Sequence, residues 1–251
     1  YNINQERNDQ NSLVVKQITV GASKRQNGIL KYGGALSLIQ APQGSSLVTD
    51  VNTEWKAGKY QIIELNYRGE LQTFNADLIN QNLKQKNFNL NYNLFLPSKI
   101  GLYSQIIRTQ ISDGNNRNLI FASLYYLAFE APVFKLGVNY GGFGFKNQVP
   151  QLYFSPDKFR NYELFVAAEN LGKPKTKFIY QATFAKGLQK ISSEKYQGIY
   201  RFDIKCGLKF TPRLHALAYF LKSNSAASSV QGFTYNEWGI NAGWIINKHT
   251  F

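Results

Sequence analysis

Two histidines and one cysteine are the first candidates in this 251-residue chain for acid–base or nucleophilic chemistry. His215 and His249 lie near the ends of predicted strands, and neither has a serine or carboxylate beside it at the spacing of a hydrolase. A catalytic triad would therefore need partners from neighbouring strands, and an interfacial side chain is the simpler interpretation of each histidine. Cys206 falls on an apolar strand face and is interpreted as packing, and a single cysteine excludes an internal disulfide.

A glycine-rich segment at residues 141–144, Gly-Gly-Phe-Gly, superficially suggests a phosphate-binding loop. No Gly-Lys-Ser/Thr sequence and no strand-to-helix context follows it. Glycines at the end of a strand more often mark a bend or bulge. The sequence therefore predicts no catalytic residue, no metal ligand, no cofactor and no enzymatic activity.

The elements that position these residues are predicted from a two-residue hydrophobic period. In residues 86–97, for example, Leu90 and Tyr92 fall on one face and Asn89 and Asn91 on the other. The same sorting puts Phe202 and Ile204 opposite Arg201 and Asp203. It recurs in about thirteen segments, near residues 13–24, 28–40, 46–57, 60–73, 86–97, 99–111, 117–130, 133–144, 161–170, 176–187, 197–210, 213–223 and 236–247.

Each segment is long enough for the roughly 9–11 tilted residues with which a strand crosses a bilayer. The chain ends on Phe251 after an alternating strand, which is typical of outer-membrane barrels. Its mean hydropathy of −0.33 looks soluble, but barrels look soluble because half of each strand is polar. Aromatic residues near predicted strand ends would form interfacial girdles: Trp55, Tyr60, Tyr103, Tyr162, Tyr200, Phe210, Trp238 and Trp244. The alternative is a soluble β-sandwich or barrel with its apolar face inward.

Short connections alternate with longer ones, and the short ones lie near residues 97–99, 131–132, 172–175 and 211–213. In outer-membrane barrels the short connections face the periplasm and the long ones face the exterior. Because bacterial barrels have even strand numbers, we infer a fourteenth strand, partly present in residues 1–5 or lost with an upstream segment. The predicted fold is all-β: a transmembrane antiparallel up-and-down β-barrel of about 14 strands (12–16 considered), with residues 1–251 as one domain.

Charge suggests what the predicted lumen passes. The chain has 29 Lys and Arg against 15 Asp and Glu, and the excess is concentrated after residue 134. One interpretation is that loop lysines contact anionic lipopolysaccharide. The other is that basic side chains form an inward positive ladder that favours the passage of anions. Charges of both signs on the other predicted strands are also found in diffusion porins. Nucleic acid is not a predicted partner, since the basic residues are spread over many strands without a recognition motif. The predicted pore-lining residues are Asp50, Glu54, Glu64, Arg68, Glu70, Asn89, Asn91, Arg108, Lys135, Lys177, Arg201, Asp203, Lys205 and Lys209.

A short motif in residues 151–163 carries a resemblance. Tyr153-Phe154-Ser155-Pro156, with Phe159 three residues on, resembles an element of the C-terminal barrels of tetratricopeptide-repeat exopolysaccharide exporters, such as the cellulose-export outer-membrane protein. The resemblance implies a periplasmic repeat region upstream and a barrel that passes polymer outward. This sequence departs from the family in having no such repeats.

The predicted function is an outer-membrane channel for a polysaccharide or another polar solute, with anionic solutes included. A general diffusion porin, a structural barrel in a larger secretion or surface complex, and a soluble β-sandwich binding protein are the alternatives. The longest predicted connection, residues 144–160, is expected to be ordered because burying its aromatic rings is favourable. It would narrow or cap the pore through Lys146, Tyr153, Phe154, Lys158 and Arg160, or else form an exposed adhesin-like loop.

Overall fold

The computed structural model describes residues 2–8, 11–41, 44–71, 83–170, 176–211, 214–225 and 235–244. Side chains are described from residue 18 onward within these ranges, except at residues 41, 235 and 242–244. Within these ranges fourteen strands form one sheet in which each strand is hydrogen-bonded to its neighbours in sequence. The strands are β1 Asn2–Asn8, β2 Asn11–Gln26, β3 Leu30–Ala41, β4 Gly44–Lys56, β5 Gln61–Leu71, β6 Lys84–Phe95, β7 Ile100–Ile111, β8 Asn116–Glu130, β9 Val133–Phe145, β10 Phe159–Glu169, β11 Phe178–Ile191, β12 Gln197–Lys209, β13 Leu214–Ser223 and β14 Tyr235–Trp244. None of the described residues forms a helix long and apolar enough to cross a membrane.

The predicted fourteenth strand is present in the chain. β1 pairs antiparallel with β2 from Asn2↔Gln17 to Asn8↔Asn11, and it is longer than the sequence suggested. The other thirteen strands match the predicted segments to within a few residues at each end. His249 and Phe251 lie outside the described residues, as does Tyr1.

The hydrophobic period sorts side chains onto two faces. Leu65 and Leu90 face each other across β5 and β6 and are exposed, as are Phe202 and Ile204 on β12. Glu64↔Asn91 is the register pair beside Leu65↔Leu90, so these polar side chains project to the opposite side. We call the two sides the apolar face and the polar face.

The described chain divides into two compact units. Unit 1 comprises residues 1–96, 102–122 and 141–159, and unit 2 comprises residues 97–101, 123–140 and 160–251. In unit 2, aromatic rings on the polar face cover glycines of a neighbouring strand. Tyr125 lies against Gly101, Phe165 against Gly137 and Tyr219 against Gly239, so a side chain on any of these glycines would collide with the ring.

Tight connections fix the register of the hairpins. Asn27 (φ 49°) and Gly28 (φ 68°) both take left-handed backbone between β2 and β3, a conformation that these two residue types tolerate best. β8 and β9 are joined by Ala131 and a cis Pro132. The connection between β9 and β10, residues 146–158, is much longer and forms contacts of its own.

Candidate functional site

The polar face of unit 1 carries carboxylates and amides on β4, β5 and β6. In register, Asp50 faces Arg68 and Glu54 faces Glu64. Glu64 Oε2 accepts a hydrogen bond from Asn91 Nδ2 at 3.0 Å. Arg25 forms an ion pair with Glu54 at 3.0 Å, and Arg68 Nε lies 3.4 Å from Glu70. Glu70 also accepts from Asn87 Nδ2 at 2.8 Å and from Gln85.

The amides extend this network to β7 and β8. Asn91 Oδ1 accepts from Tyr103 Oη at 3.2 Å and from Gln105 Nε2 at 3.0 Å. Thr109 Oγ1 donates to Asn87 at 2.7 Å and accepts from Arg117 at 3.2 Å. Tyr103 therefore lies on the polar face, and its prediction as an interfacial girdle residue was wrong, because its hydroxyl is held by Asn91.

These strands line a cleft of about 620 Å³. Its charged lining consists of Asp50, Glu54, Glu64 and Glu70 with Lys31, Arg68 and Arg117. Asn89 Oδ1 and Arg117 Nε are buried without a hydrogen-bond partner among the described residues. Buried polar atoms normally find partners, so these two atoms leave one acceptor and one donor in the cleft for a polar solute.

The polar face of unit 2 is organised around Glu163, a buried carboxylate on β10. Glu163 Oε2 accepts from Asn139 Nδ2 at 3.1 Å and forms an ion pair with Arg201 at 3.2 Å. Lys135 pairs with Glu169 at 2.6 Å, and its ammonium lies 5.5 Å from the Tyr125 ring centroid. Two of the predicted pore-lining cations, Lys135 and Arg201, are therefore neutralised locally by carboxylates.

The predicted positive ladder consists of Lys177, Arg201, Lys205 and Lys209, of which Lys205 and Lys209 lie farther along β12 than Arg201. Lys205 faces Gln181 and Tyr219, while Lys209 faces His215. Lys177 immediately precedes β11 and is exposed, and its carbonyl accepts from the Lys209 backbone NH at 2.7 Å. Asp203 lies on the same face, opposite Thr183 and Leu221.

His215 lies opposite Lys209 on one side and Gly243 on the other, with no serine or carboxylate in register. Cys206 is a free, exposed thiol on the apolar face. No group of three or more potential metal ligands occurs within the described ranges. These neighbours give His215 neither a nucleophile to activate nor a carboxylate to orient it.

Two predicted site residues lie on the apolar face instead. The hydrogen bonds of Gln105 and Thr109 place the odd-numbered positions of β7 on the polar face. Arg108 is at an even-numbered position and therefore lies on the apolar face, so its assignment to the pore lining was wrong. Arg160 was assigned to the connection before β10, but β10 begins at Phe159. Buried Asn161 and Glu163 take the polar face of that strand, which leaves Arg160 on the other side with exposed Tyr162 and Leu164.

The connection 146–158 is anchored by Tyr153. Its hydroxyl donates to Asp113 Oδ2 at 2.8 Å and accepts from Asn115 Nδ2 at 2.9 Å, both in the β7–β8 turn. Burial, reinforced by Asp113 and opposed by the bond from Asn115, raises the pKa of Tyr153 to about 12. Asn115 also bonds the backbone of Asn147 through both ends of its amide, at 2.8 and 2.9 Å.

Aromatic packing completes this anchor. Phe143 stacks on Phe159 at a centroid distance of 4.7 Å, and Phe154 meets both rings edge-on. The backbone passes so close at Asp157 that only glycine fits at position 144. Lys146 and Lys158 are exposed at the two ends of the connection. Residues 146–158 are therefore a packed segment of unit 1, which we call the anchored loop.

Sequence reasoning missed the partners that hold these groups: Asp113, Asn115, Asn139, Glu163 and Glu169. Asn139 and Glu163 do have inward parity, and that signal could have identified them. Asp113 and Asn115 lie in a turn, and their link to Tyr153 spans 40 and 38 residues, so no local pattern reveals it.

Comparison with known proteins supports the fold. No protein-family model matches the sequence, and no curated protein matches it. A solved structure described as a bacterial polysaccharide outer membrane secretin matches 93% of this chain and 83% of its own, with a TM-score of 0.76 and 8% identity. At that identity the likeness concerns the fold alone: this is an all-β, antiparallel up-and-down sheet of the outer-membrane barrel type.

Proposed function

We propose that this chain, as one domain of residues 1–251, is a channel of the bacterial outer membrane that passes a polysaccharide or another polar solute without chemistry. The observation that carries the proposal is the two-faced sheet. Side chains such as Val20, Leu164 and Ile240 are exposed on one face. A membrane supplies the apolar surroundings that these side chains lack in water.

The opposite face suits a hydrated polymer. Amide and carboxylate side chains form hydrogen-bond ladders there, and the half-buried Tyr125 and Phe165 rings lie against glycines among them. Sugars combine hydroxyl rims with apolar C–H faces, so a surface that alternates hydrogen-bonding groups and aromatic rings complements both. The solved polysaccharide secretin of the same fold supports this substrate class.

The resemblance in residues 153–159 adds a finer proposal, that the chain belongs with tetratricopeptide-repeat exporters and works with a periplasmic repeat region. The sequence encoded upstream of the barrel tests it. Repeats of about 34 residues support it, whereas a signal peptide immediately before the barrel contradicts it.

A general diffusion porin is the second candidate, because charges of both signs line the polar face. Planar-bilayer recordings with neutral oligosaccharides of increasing length separate the two functions. An export channel threads the chain, so blockade times should grow with chain length; a diffusion porin stops showing blockades once the oligomer exceeds the pore. An open barrel that shows no blockade at any length would contradict polysaccharide passage.

The predicted gate also becomes a proposal with a defined structure. The anchored loop carries Tyr153 and Phe154 onto the aromatic end of β9, and we propose that it restricts the channel mouth there. Deleting residues 147–157 should enlarge the conductance, while an unaltered current would assign the loop to the surface.

A further inference from the structure

A set of basic side chains lies on the apolar face of unit 2, where lipid contact is proposed. Arg160, Lys186, Lys190 and Lys222 all occupy the even-numbered positions of their strands. Exposed Leu164, Leu188 and Phe220 share that parity, whereas buried Glu163, Ala185 and Ser223 take the other. We call these four residues the basic belt.

The belt residues are neighbours through the sheet. Lys186 faces Tyr200 on β12, and Lys222 faces Phe202, two positions along the same strand. One strand separates the two lysines, so their backbones are roughly 10 Å apart. Gly187 packs against the backbone of Tyr162 and Glu163, and continuing that antiparallel pairing brings Lys190 beside Arg160.

Three of the four belt residues occupy one end of the strands, and Lys186 lies five residues from the end of β11. Arg160 is the second residue of β10, and Lys190 and Lys222 are each one residue from the ends of β11 and β13. The opposite end of the same face carries exposed apolar side chains, namely Val166, Phe178, Leu208 and Leu214. On the described strands β10 to β13, no charged side chain lies on this face between the belt and those four residues. At the end that carries the belt, residues 192–196 connect β11 to β12. At the opposite end, residues 210–213 connect β12 to β13.

None of the four cations forms a salt bridge with the carboxylates of the described chain. A cation on a lipid-facing surface is costly unless it reaches the headgroup level and meets an anion. Phosphate suits this role, because Arg binds it bidentately and Lys as a point charge. Tyr162, Tyr196 and Tyr200 lie among the belt residues as interfacial anchors, and Lys190 lies 5.5 Å from the Tyr196 ring.

We propose that the basic belt is a binding site for the phosphate groups of lipopolysaccharide in the outer leaflet. This proposal rests on the membrane location proposed above. It assigns the belt end of unit 2 to the outer leaflet, and it gives Arg160 a role in lipid recognition instead of gating.

The test compares two charge-matched double variants of the full chain in neutral detergent, with purified bisphosphorylated lipid A as the probe. Lys186→Gln/Lys222→Gln removes two belt charges, and Lys205→Gln/Lys209→Gln removes two from the polar face of the same unit. At roughly fivefold in affinity per basic residue, the belt variant should bind lipid A about 25-fold more weakly than wild type, and the control should bind like wild type. Dephosphorylated lipid A should bind wild type as weakly as the belt variant binds lipid A.

Equal weakening in both variants would show a nonspecific charge effect and overturn the proposal. So would equal binding of the two lipids, or full competition by millimolar inorganic phosphate, which would indicate a free-phosphate site. If the belt double variant fails to fold, the single variants Arg160→Gln and Lys222→Gln replace it, and each should bind lipid A about fivefold more weakly than wild type. Unchanged affinity in both single variants would refute the site. Lipid binding does not require an open pore, so the channel proposal can fail in conductance while this one holds.

Discussion

Replacing Tyr153 by phenylalanine isolates the hydroxyl that pins the anchored loop. The ring keeps its contact with Phe145, at 5.5 Å between centroids, while the bonds to Asp113 and from Asn115 disappear. A bond to a charged acceptor contributes about 1.5–3 kcal/mol and a neutral one about 0.5–1.5 kcal/mol, so closure should weaken by about 2–4.5 kcal/mol. That corresponds to a closed-to-open ratio reduced by about 30- to 2000-fold.

Single-channel recording in planar bilayers measures that ratio from the dwell times of the low- and high-conductance states. The variant should spend far more time in the high-conductance state, with the high-conductance level unchanged. Tyr60→Phe is the matched control, since Tyr60 is an exposed tyrosine in the β4–β5 connection. If Tyr153→Phe gates like wild type, the loop does not control the channel, and the hydrogen-bond argument for closure is refuted.

Three further outcomes follow from the same structure. The neutral phenol of Tyr153 has a pKa of about 12 against an ordinary 10, so it stabilises loop closure fully below pH 10 and loses that contribution as the pH rises through 12. The open-state dwell time should therefore increase over this pH window in wild type and stay constant in Tyr153→Phe. An equal pH dependence in both proteins would contradict the assignment. Lys205→Glu/Lys209→Glu should shift reversal potentials toward cation selectivity without loss of folding, and an unchanged potential would place these lysines outside the conduction path. Glu163→Gln should lower stability by about 2–3 kcal/mol because it leaves the partly buried Arg201 without its carboxylate, measured as an earlier unfolding midpoint in denaturant, whereas an unshifted midpoint would show that Arg201 finds another anion.

The strand pattern was predictable because alternation is a local property. Each residue of a two-faced strand takes its side from its parity, so β6 and β12 could be assigned from the alternating sequence alone. The count of fourteen followed from the even-number rule, and β1 brings the strands in the part of the chain that the structure describes to that number.

The sequence predictions were wrong where the hydrophobic period is ambiguous or where the outcome depends on residues far away in the sequence. Ile106 and Ile107 are adjacent apolar residues on β7, so the period is ambiguous there and Arg108 was put on the wrong face. Arg160 was misassigned because strand ends are set by cross-strand hydrogen bonds that the local sequence does not encode. The ion pairs of Lys135 and Arg201 depend on partners 34 and 38 residues away, which is why the predicted pore lining looked more positive than it is.

Accessibility of engineered cysteines tests the central claim most directly, that the polar face lines a conducting path and the apolar face contacts lipid. In a Cys206→Ala background, Asn89→Cys and Leu90→Cys place a thiol on opposite faces of β6 at adjacent positions. A charged, membrane-impermeant thiol reagent should step the conductance down in Asn89→Cys and leave Leu90→Cys unchanged. Modification of the current in Leu90→Cys but not in Asn89→Cys, or the absence of any current from folded protein, would contradict the account.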